Sequence, residues 1–462
     1  MTNPRLQSLV DRLGPDAVLL DPDTLAPYAK DNKTSGLAPI AVVRPASTED
    51  VQATVEFCHE HKIALIARGA GSGTVGGAVP EREAVVLDLC RMTEVLWLDE
   101  MSMTVAAQAG MITEDLQKHV AKFGLSYPPD PASADRSTIG GNAATNAGGL
   151  RAVKYGVTGD YVLGLTVVLA DGRVMKTGVQ TRKGVVGYDL THLFVGSEGT
   201  LGIITELTLR LVRAPETART LVASFDDLES CARGVQAILA SPVLPAAIEL
   251  VDEQCVRAIQ EAGAGQVAFQ APFLLVEVDG RAAVVDEELA ILDEALRASG
   301  AVTRVASDEA QTKALWDGRR AISESLKKVS PAKVSEDITV PIAKLVELLR
   351  GVAEIAKPKG LTHLAYGHAG DGNLHVNVLF DPAVEGIRER VEAFRGELFD
   401  LTLRLGGTMS GEHGVGIAKR PFIDRELSPV SLEMHRRIKA ALDPDNLLNP
   451  GKIWPAPMGD PA

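Results

Sequence analysis

Arg136-Ser-Thr-Ile-Gly-Gly-Asn-Ala-Ala-Thr-Asn-Ala-Gly-Gly149 decides how the rest of this 462-residue chain is read. Four of its fourteen residues are glycine, two are asparagine, and Arg136 is its only charge. Residues this small do not fill a core. They let backbone approach a ligand closely, and successive exposed N–H groups form a concave anion site that needs no lysine. A linker would be richer in serine, proline and charge. The stretch therefore reads as a cofactor cradle.

A second glycine cluster lies upstream, Arg68-Gly-Ala-Gly-Ser-Gly-Thr-Val-Gly-Gly77, after a strand expected at 63–67. Gly71, Gly73 and Gly76 satisfy G-x-G-x-x-G, the nominal dinucleotide fingerprint. The Rossmann reading fails for lack of room. Its third glycine should sit in a helix packed on the sheet, yet Ala78-Val-Pro-Glu-Arg-Glu leads within a few residues to another strand at 84–89. What survives is a second anion-binding loop, and two such loops imply a ligand long enough to touch both.

The flanking elements follow from local signals. Residues 40–44 read as a strand, and Ser47-Thr-Glu-Asp50 offers a capping-box-like start to a helix with Val51, Val55 and Cys58 on one face. After a strand at 103–110, Thr113 is expected to cap a helix carrying Leu116, Val120 and Phe123 and ending at Gly124. Pro128-Pro-Asp-Pro-Ala-Ser133 is a stiff loop. Strands at 162–170 and 173–177 flank Asp171-Gly172, for which a type I′ hairpin turn is expected. Gly196-Ser-Glu-Gly-Thr-Leu-Gly202 runs into a strand that alternates through Leu207, Leu209 and Leu211. Beyond about residue 215, strands at 221–225, 273–279 and 303–306 and an amphipathic helix at 281–299 suggest an antiparallel sheet with helices on one face.

Bulk properties bound the class. The length calls for two or more domains. With 45% apolar and 23% charged residues the chain is globular, disorder being expected only at its proline-rich last residues. A net charge of −14 disfavours nucleic acid or an anionic membrane as a general partner. The longest apolar stretch, near 162–170, is too short for an integral membrane segment. The first residues lack a basic region followed by an apolar run, so an unexported, cytoplasmic protein is expected. Cys58, Cys90, Cys231 and Cys255 are scattered without a C-x-x-C, which argues against a disulfide framework and an iron–sulfur cluster.

His363, His368, His375 and His413 fall within 51 residues. Tyr366-Gly-His-Ala-Gly-Asp-Gly-Asn-Leu-His-Val-Asn377 reads as strand, glycine turn, strand. His375 and Asn377 then share a face, with His368 able to reach it from across the turn. Ser410-Gly-Glu-His-Gly414 adds a carboxylate and an imidazole. Two imidazoles and one carboxylate make a divalent site with coordination left open, the pattern of a catalytic metal. His368, His375 and Glu412 are the expected ligands, zinc the first metal and manganese or iron the next. His413, beside Glu412, is the candidate general base.

Arg68-Gly-Ala-Gly-Ser-Gly, Pro128 to Ser133, Thr138 to Gly149, Gly196-Ser-Glu-Gly-Thr-Leu-Gly-Ile and the closing Leu442-Asp-Pro-Asp-Asn-Leu-Leu-Asn-Pro-Gly-Lys-Ile453 together resemble the flavin-binding motifs of the vanillyl-alcohol oxidase/PCMH-type flavoproteins. Within that family the chain is most similar to the branch that holds the D-lactate dehydrogenases, the glycolate oxidases and the D-2-hydroxyglutarate dehydrogenases. The resemblance implies an α+β fold: a two-subdomain FAD-binding domain at 1–215, an antiparallel-sheet α+β cap for substrate at 216–405, and a helical C-terminal segment at 406–462 that returns to the flavin and completes the FAD and metal sites.

It further implies FAD held by Arg68, Gly69, Ala70, Gly71, Ser72, Gly73 and Thr74, with Ser137, Thr138, Gly140, Gly141 and Asn142 also on the pyrophosphate. Pro129, Ser133, Ala147, Gly148, Glu198, Gly199 and Ile204 would line the rest of the cofactor, and Asn449 would return to it. No histidine lies in residues 68–77, so the FAD is expected to be noncovalent. Arg319, with Arg320 as its neighbouring competitor, matches the family's substrate arginine, which would grip a carboxylate bidentately. Ser323, one helical turn on, Lys333 and Asn377 join it, although the spacing from Lys333 to Pro341 departs from the family pattern. The implied activity is oxidation of a D-2-hydroxyacid, D-lactate first, with hydride passing to flavin N5 and electrons leaving to an iron–sulfur protein, an electron-transfer flavoprotein or a quinone. Glycolate and D-2-hydroxyglutarate are alternative substrates, and oxygen an alternative acceptor. A noncatalytic flavin-binding component of a redox complex is a further reading, against which the four-residue set of His368, His375, Glu412 and His413 speaks. A homodimer is compatible with all of these.

Overall fold

The computed structural model describes residues 4–263 and 272–455, so the proline-rich end lies outside the described residues. By its internal contacts the chain divides into two units, one built from residues 4–147, 157–214 and 412–455, the other from 148–156 and 215–411. The protein is an α+β fold of mixed and antiparallel sheets with a helical C-terminal segment.

The first unit contains two principal sheets. One has four strands in the order Val18–Leu19, Ala41–Val43, Ala84–Asp88, Ala64–Arg68, parallel apart from the first pair. Helix Thr48–His61 follows its second strand, with Ser47 accepting from the Asp50 N–H and Val51, Val55 and Cys58 buried, the start and face that the sequence predicts. No helix forms between the parallel strands Ala64–Arg68 and Ala84–Asp88, which bears out the exclusion of a Rossmann unit. The other sheet has five antiparallel strands in the order Val95–Asp99, Thr104–Gln108, Ile203–Arg210, Val162–Val168, Val174–Gly178. Helix Thr48–His61 touches both sheets, and helix Ile139–Thr145 lies on strand Ile203–Arg210.

Two local expectations are corrected. Thr113 is not a cap: helix Thr113–Ala121 takes Ile112 as its N-cap, and the buried Thr113 hydroxyl instead donates to Ser137 O at 3.0 Å. The 162–178 hairpin does not use a type I′ turn, because among its turn residues only Gly172 has positive φ, at +85°. Leu169 N–H bonds to Arg173 O and Gly172 N–H to Leu169 O, both at 2.9 Å. That is a three-residue loop whose left-handed glycine makes a bulge.

The second unit is organised on a seven-stranded antiparallel sheet in the order Val302–Val305, Thr217–Ser224, Phe273–Gly280, Ala247–Val251, Thr362–His368, Asn373–Phe380, Ala332–Thr339. Val222, Val251, Ile259, Leu275, Trp316, Ile322 and Leu364 form one continuous core between this sheet and its helices. Residues 148–156 are fastened into this unit by charge. Lys154 Nζ lies 2.6 Å from Asp279 Oδ1, Tyr155 donates to Asp279 Oδ2 at 2.8 Å, and Arg151 meets Glu277 at 3.0 Å. Asp279 is 2% exposed, so its two partners stand in place of water. Asp279→Ala should lower stability by about 3 kcal/mol, the cost of stranding a largely buried ammonium. Urea denaturation reads this, and an unchanged midpoint would show that the strap is not held there.

Candidate active site

In the first unit the strand Ala64–Arg68 delivers residues 69–77 as a turn-rich loop. Among the described residues, no group accepts a hydrogen bond from the N–H groups of residues 70–75. Backbone donors left without partners require water or a ligand, and a run of them is the concave anion site that the sequence points to. Arg68 stands at the mouth, its guanidinium over the Tyr28 ring at 5.4 Å, its pKa lowered by burial against the pull of Asp88 and Asp31. Gly69 packs so tightly on Thr138 that a Cβ there would collide with Thr138 Oγ1. The two glycine stretches are thus in direct contact.

The second stretch works differently from a bare loop. Residues Ile139–Thr145 are helical, with Thr138 Oγ1 capping the Gly141 N–H at 3.2 Å. The Ile139 and Gly140 N–H groups bond to Met111 O and Ala109 O, both at 2.9 Å, and Asn142 Nδ2 bonds to Thr113 Oγ1 at 2.7 Å. These donors anchor the helix. Ser137 O accepts from Thr113, and Ser133 O accepts from the Arg136 and Ser137 N–H groups. Pro129 O takes the Gln117 amide at 2.9 Å. Ala147 ends the stretch, bonding to Asn142 O, while Gly148 belongs by its contacts to the second unit.

Asn449 joins the C-terminal segment to this cradle. Its N–H bonds to Leu65 O at 2.8 Å, and its Nδ2 donates to both Gly77 O and Glu198 O at 2.7 Å. Asn449 Oδ1 is buried and accepts from no described residue, an orphaned acceptor suited to a donor group on a bound cofactor. Glu198 and Asn449 both sit in the left-handed region, at φ +51° and +42°, a strain that non-glycine residues tolerate only when the surroundings fix them. Glu198 turns its carboxylate inward onto the Val415 and Gly416 N–H groups at 2.7 and 2.9 Å. Burial pushes its pKa up; the two N–H donors pull the other way without reversing the shift. Gly199 follows at φ +71°, and Ile204 is buried in the adjoining strand.

The second unit brings together most of the predicted chemistry. His368 and His375 end and begin an antiparallel strand pair, and their rings lie edge-on with centroids 5.4 Å apart. Each has a buried carboxylate opposite it on a neighbouring strand, Glu249 for His368 and Asp337 for His375. His368 Nδ1 donates to Glu249 Oε1 at 2.5 Å, while His375 Nδ1 is 3.9 Å from Asp337 Oδ1. Arg319 is 9% exposed and lies over the Tyr366 ring at 4.8 Å; Arg320 is exposed and pairs with Asp317. Glu249 Oε2 takes Arg319 Nε at 2.6 Å and Nη2 at 2.5 Å, so the side-on edge of the guanidinium is committed within the protein. Only its end-on edge remains for a carboxylate. Lys333 donates to Ser323 O and Oγ at 2.8 and 3.1 Å. Asn377 is fully buried, Nδ2 on His375 O at 2.9 Å, with an Oδ1 that accepts no hydrogen bond among the described residues. Glu412 and His413 open the last segment of the first unit, two and three residues beyond Ser410, whose hydroxyl reaches Asp337 at 3.4 Å in the second.

Glu249 and Asp337 escape a reading based on histidine clusters. Their signal is an acid inside an apolar strand: Ala247–Val251 is buried at every position, and Glu249 is its only charge. Charged residues are almost never fully buried unless paired.

A glycine loop whose N–H groups meet no described acceptor, a second glycine stretch packed against it and an orphaned asparagine oxygen make a cradle suited to an anionic cofactor, and the family matches make the protein a flavin-binding oxidoreductase. Residues 39–178 match the FAD binding domain and residues 214–453 the C-terminal domain of FAD linked oxidases, and the chain belongs to that FAD-linked oxidase family. It is 40% identical over 418 residues to the glycolate oxidase subunit GlcD of Bacillus subtilis, covering 90% of this chain and 89% of that protein. It is 36% identical to a D-lactate dehydrogenase of Anaerostipes hadrus, covering 93% and 91%. With a D-2-hydroxyglutarate dehydrogenase of Stutzerimonas stutzeri it shares 34% identity over 99% of this chain and all of that one. The fold matches p-cresol methylhydroxylase at a TM-score of 0.82 with 20% identity, covering 99% of this chain and 97% of that one. Among the described residues no helix is long and apolar enough to cross a membrane.

Gly69→Ala should force the first loop off Thr138 and reduce bound FAD well below one per chain, with the far-ultraviolet circular dichroism unchanged. The ratio of flavin to protein absorbance measures it; full flavin occupancy would mean that this contact does not shape the cradle.

Proposed function

We propose that the protein is an FAD-dependent, metal-assisted dehydrogenase of a small D-2-hydroxyacid, D-lactate first, with glycolate and D-2-hydroxyglutarate as the alternatives. The observation that carries this is the paired histidines, each facing a buried carboxylate, beside an arginine that keeps one edge for an anion. The names of the relatives support the same substrate class. FAD, held noncovalently, supplies a two-electron acceptor. A divalent ion, zinc first, supplies a Lewis acid that makes the substrate hydroxyl more acidic.

The chain's own residues do the remainder. His368, His375 and Glu412 would hold the ion, the histidines through an imidazole nitrogen each and Glu412 through its carboxylate. The histidines' rigid strand pair fixes their direction. Arg319 binds the substrate carboxylate through its end-on edge, and the Asn377 amide and the Lys333–Ser323 pair shape the polar wall beside it. His413 takes the hydroxyl proton on its imidazole as the C2 hydrogen leaves. Electrons pass to a separate protein or quinone acceptor. The absence of a C-x-x-C in the sequence supports an acceptor outside this chain. A cytoplasmic location fits these assignments.

An anaerobic visible spectrum, recorded with D-lactate, L-lactate, glycolate and D-2-hydroxyglutarate before and after chelation, is the test. A D-acid should bleach the flavin band, and chelation should abolish the bleaching. His413→Ala should slow flavin reduction by about 10²- to 10⁴-fold, the usual worth of general-base catalysis, while FAD content stays the same. If none of these acids reduces the flavin, the assignment is wrong.

A further inference from the structure

We propose that Glu249 is a positioning residue that couples the metal ligand His368 to the substrate-binding Arg319, so that metal affinity and substrate affinity depend on one buried carboxylate. This rests on the functional reading above.

Glu249 lies at the middle of strand Ala247–Val251, directly across from His368 on the neighbouring antiparallel strand. Opposed residues on one face of such a pair meet. The carboxylate is fully buried and uses its two oxygens on two different side chains. Oε1 accepts from His368 Nδ1 at 2.5 Å, and Oε2 accepts from Arg319 Nε at 2.6 Å and lies in ion-pair contact with Nη2 at 2.5 Å. The arrangement closes into a ring of five side chains. Arg319 stacks on Tyr366 at 4.8 Å, Tyr366 meets His375 at 5.4 Å, and His375 meets His368 at 5.4 Å.

Two consequences follow from the geometry. A carboxylate on Nδ1 fixes the tautomer of His368 so that Nε2 carries the lone pair a metal needs, and it raises the basicity of that nitrogen; loss of such a partner typically costs about 10- to 100-fold in metal affinity. The other oxygen takes the Arg319 Nε donor and stands in ion-pair contact with Nη2, so it also restrains the direction in which the guanidinium points. Glutamine at this position has the same shape but only one acceptor oxygen, and its amide donor would face one of two donors.

The test uses full-length FAD-loaded protein, with zinc competed against a graded chelator. In Glu249→Gln the zinc affinity should fall about 10- to 100-fold, with KM for D-lactate rising together with it and flavin content unchanged. Glu249→Asp, which keeps the charge but withdraws it by one methylene, should show an intermediate loss and serves if the glutamine variant does not fold. Zinc affinity within twofold of wild type in whichever variant folds overturns the proposal and leaves the dehydrogenase reading standing. Failure of the wild-type protein to hold zinc, manganese or iron overturns the metal assignment on which both rest.

Discussion

Two side chains, Glu198 and Asn449, hold three parts of the chain together around the first glycine loop. Asn449 ties the C-terminal segment to Gly77 at the end of the first glycine loop and to the turn at Glu198, and Glu198 reaches on to the backbone at Val415 and Gly416. Both residues accept left-handed backbone to do so. Burying a carboxylate this deeply is costly unless its oxygens are satisfied, and here both oxygens meet backbone donors. The N–H groups of residues 70–75, which meet no acceptor among the described residues, lie beside these ties.

The second unit applies a different principle. Acids in its strands are not surface decoration but fixed points within an apolar sheet. Asp279 and Glu277 fasten the segment 148–156, Asp337 holds the Asn373 amide at 2.7 Å, and Glu249 holds Arg319 and His368. A sheet holds its residues more rigidly than a loop, and the paired histidines sit where strand pairing sets their spacing.

Much of this was legible in the sequence, for identifiable reasons. Ser47 and the apolar spacing of Val51, Val55 and Cys58 gave helix Thr48–His61, and the short distance from Gly77 to the strand at Ala84 excluded a Rossmann helix. The closeness of His368 to His375 followed from a glycine turn between two strands. Other features depend on tertiary context. Asp-Gly suits both a two-residue turn and a three-residue loop, and the pairing of Leu169 with Arg173 chooses the latter. Thr113 has the right chemistry for a cap, but Ser137 and Asn142, brought close by folding, claim its hydroxyl. Glycines at 140 and 141 read as open backbone, yet their N–H groups are used internally. Glu249 was hidden because its partners are distant in the chain.

The way the first unit is threaded has a consequence for the order of events during synthesis. Leu65 pairs with Leu448, and Lys62 bonds to Asp445, 383 residues later, so the strand that feeds the first glycine loop is completed by nearly the last part of the described chain. At roughly 5–20 residues per second on the ribosome, that partner emerges about 20–80 s after the strand itself. The intervening seven-stranded sheet is synthesised, and has time to form, while the first unit is still open at one edge. Completion of that unit therefore waits for residues 445–449, and a chain interrupted before Asn449 would carry a formed second unit and a first glycine loop without its latch.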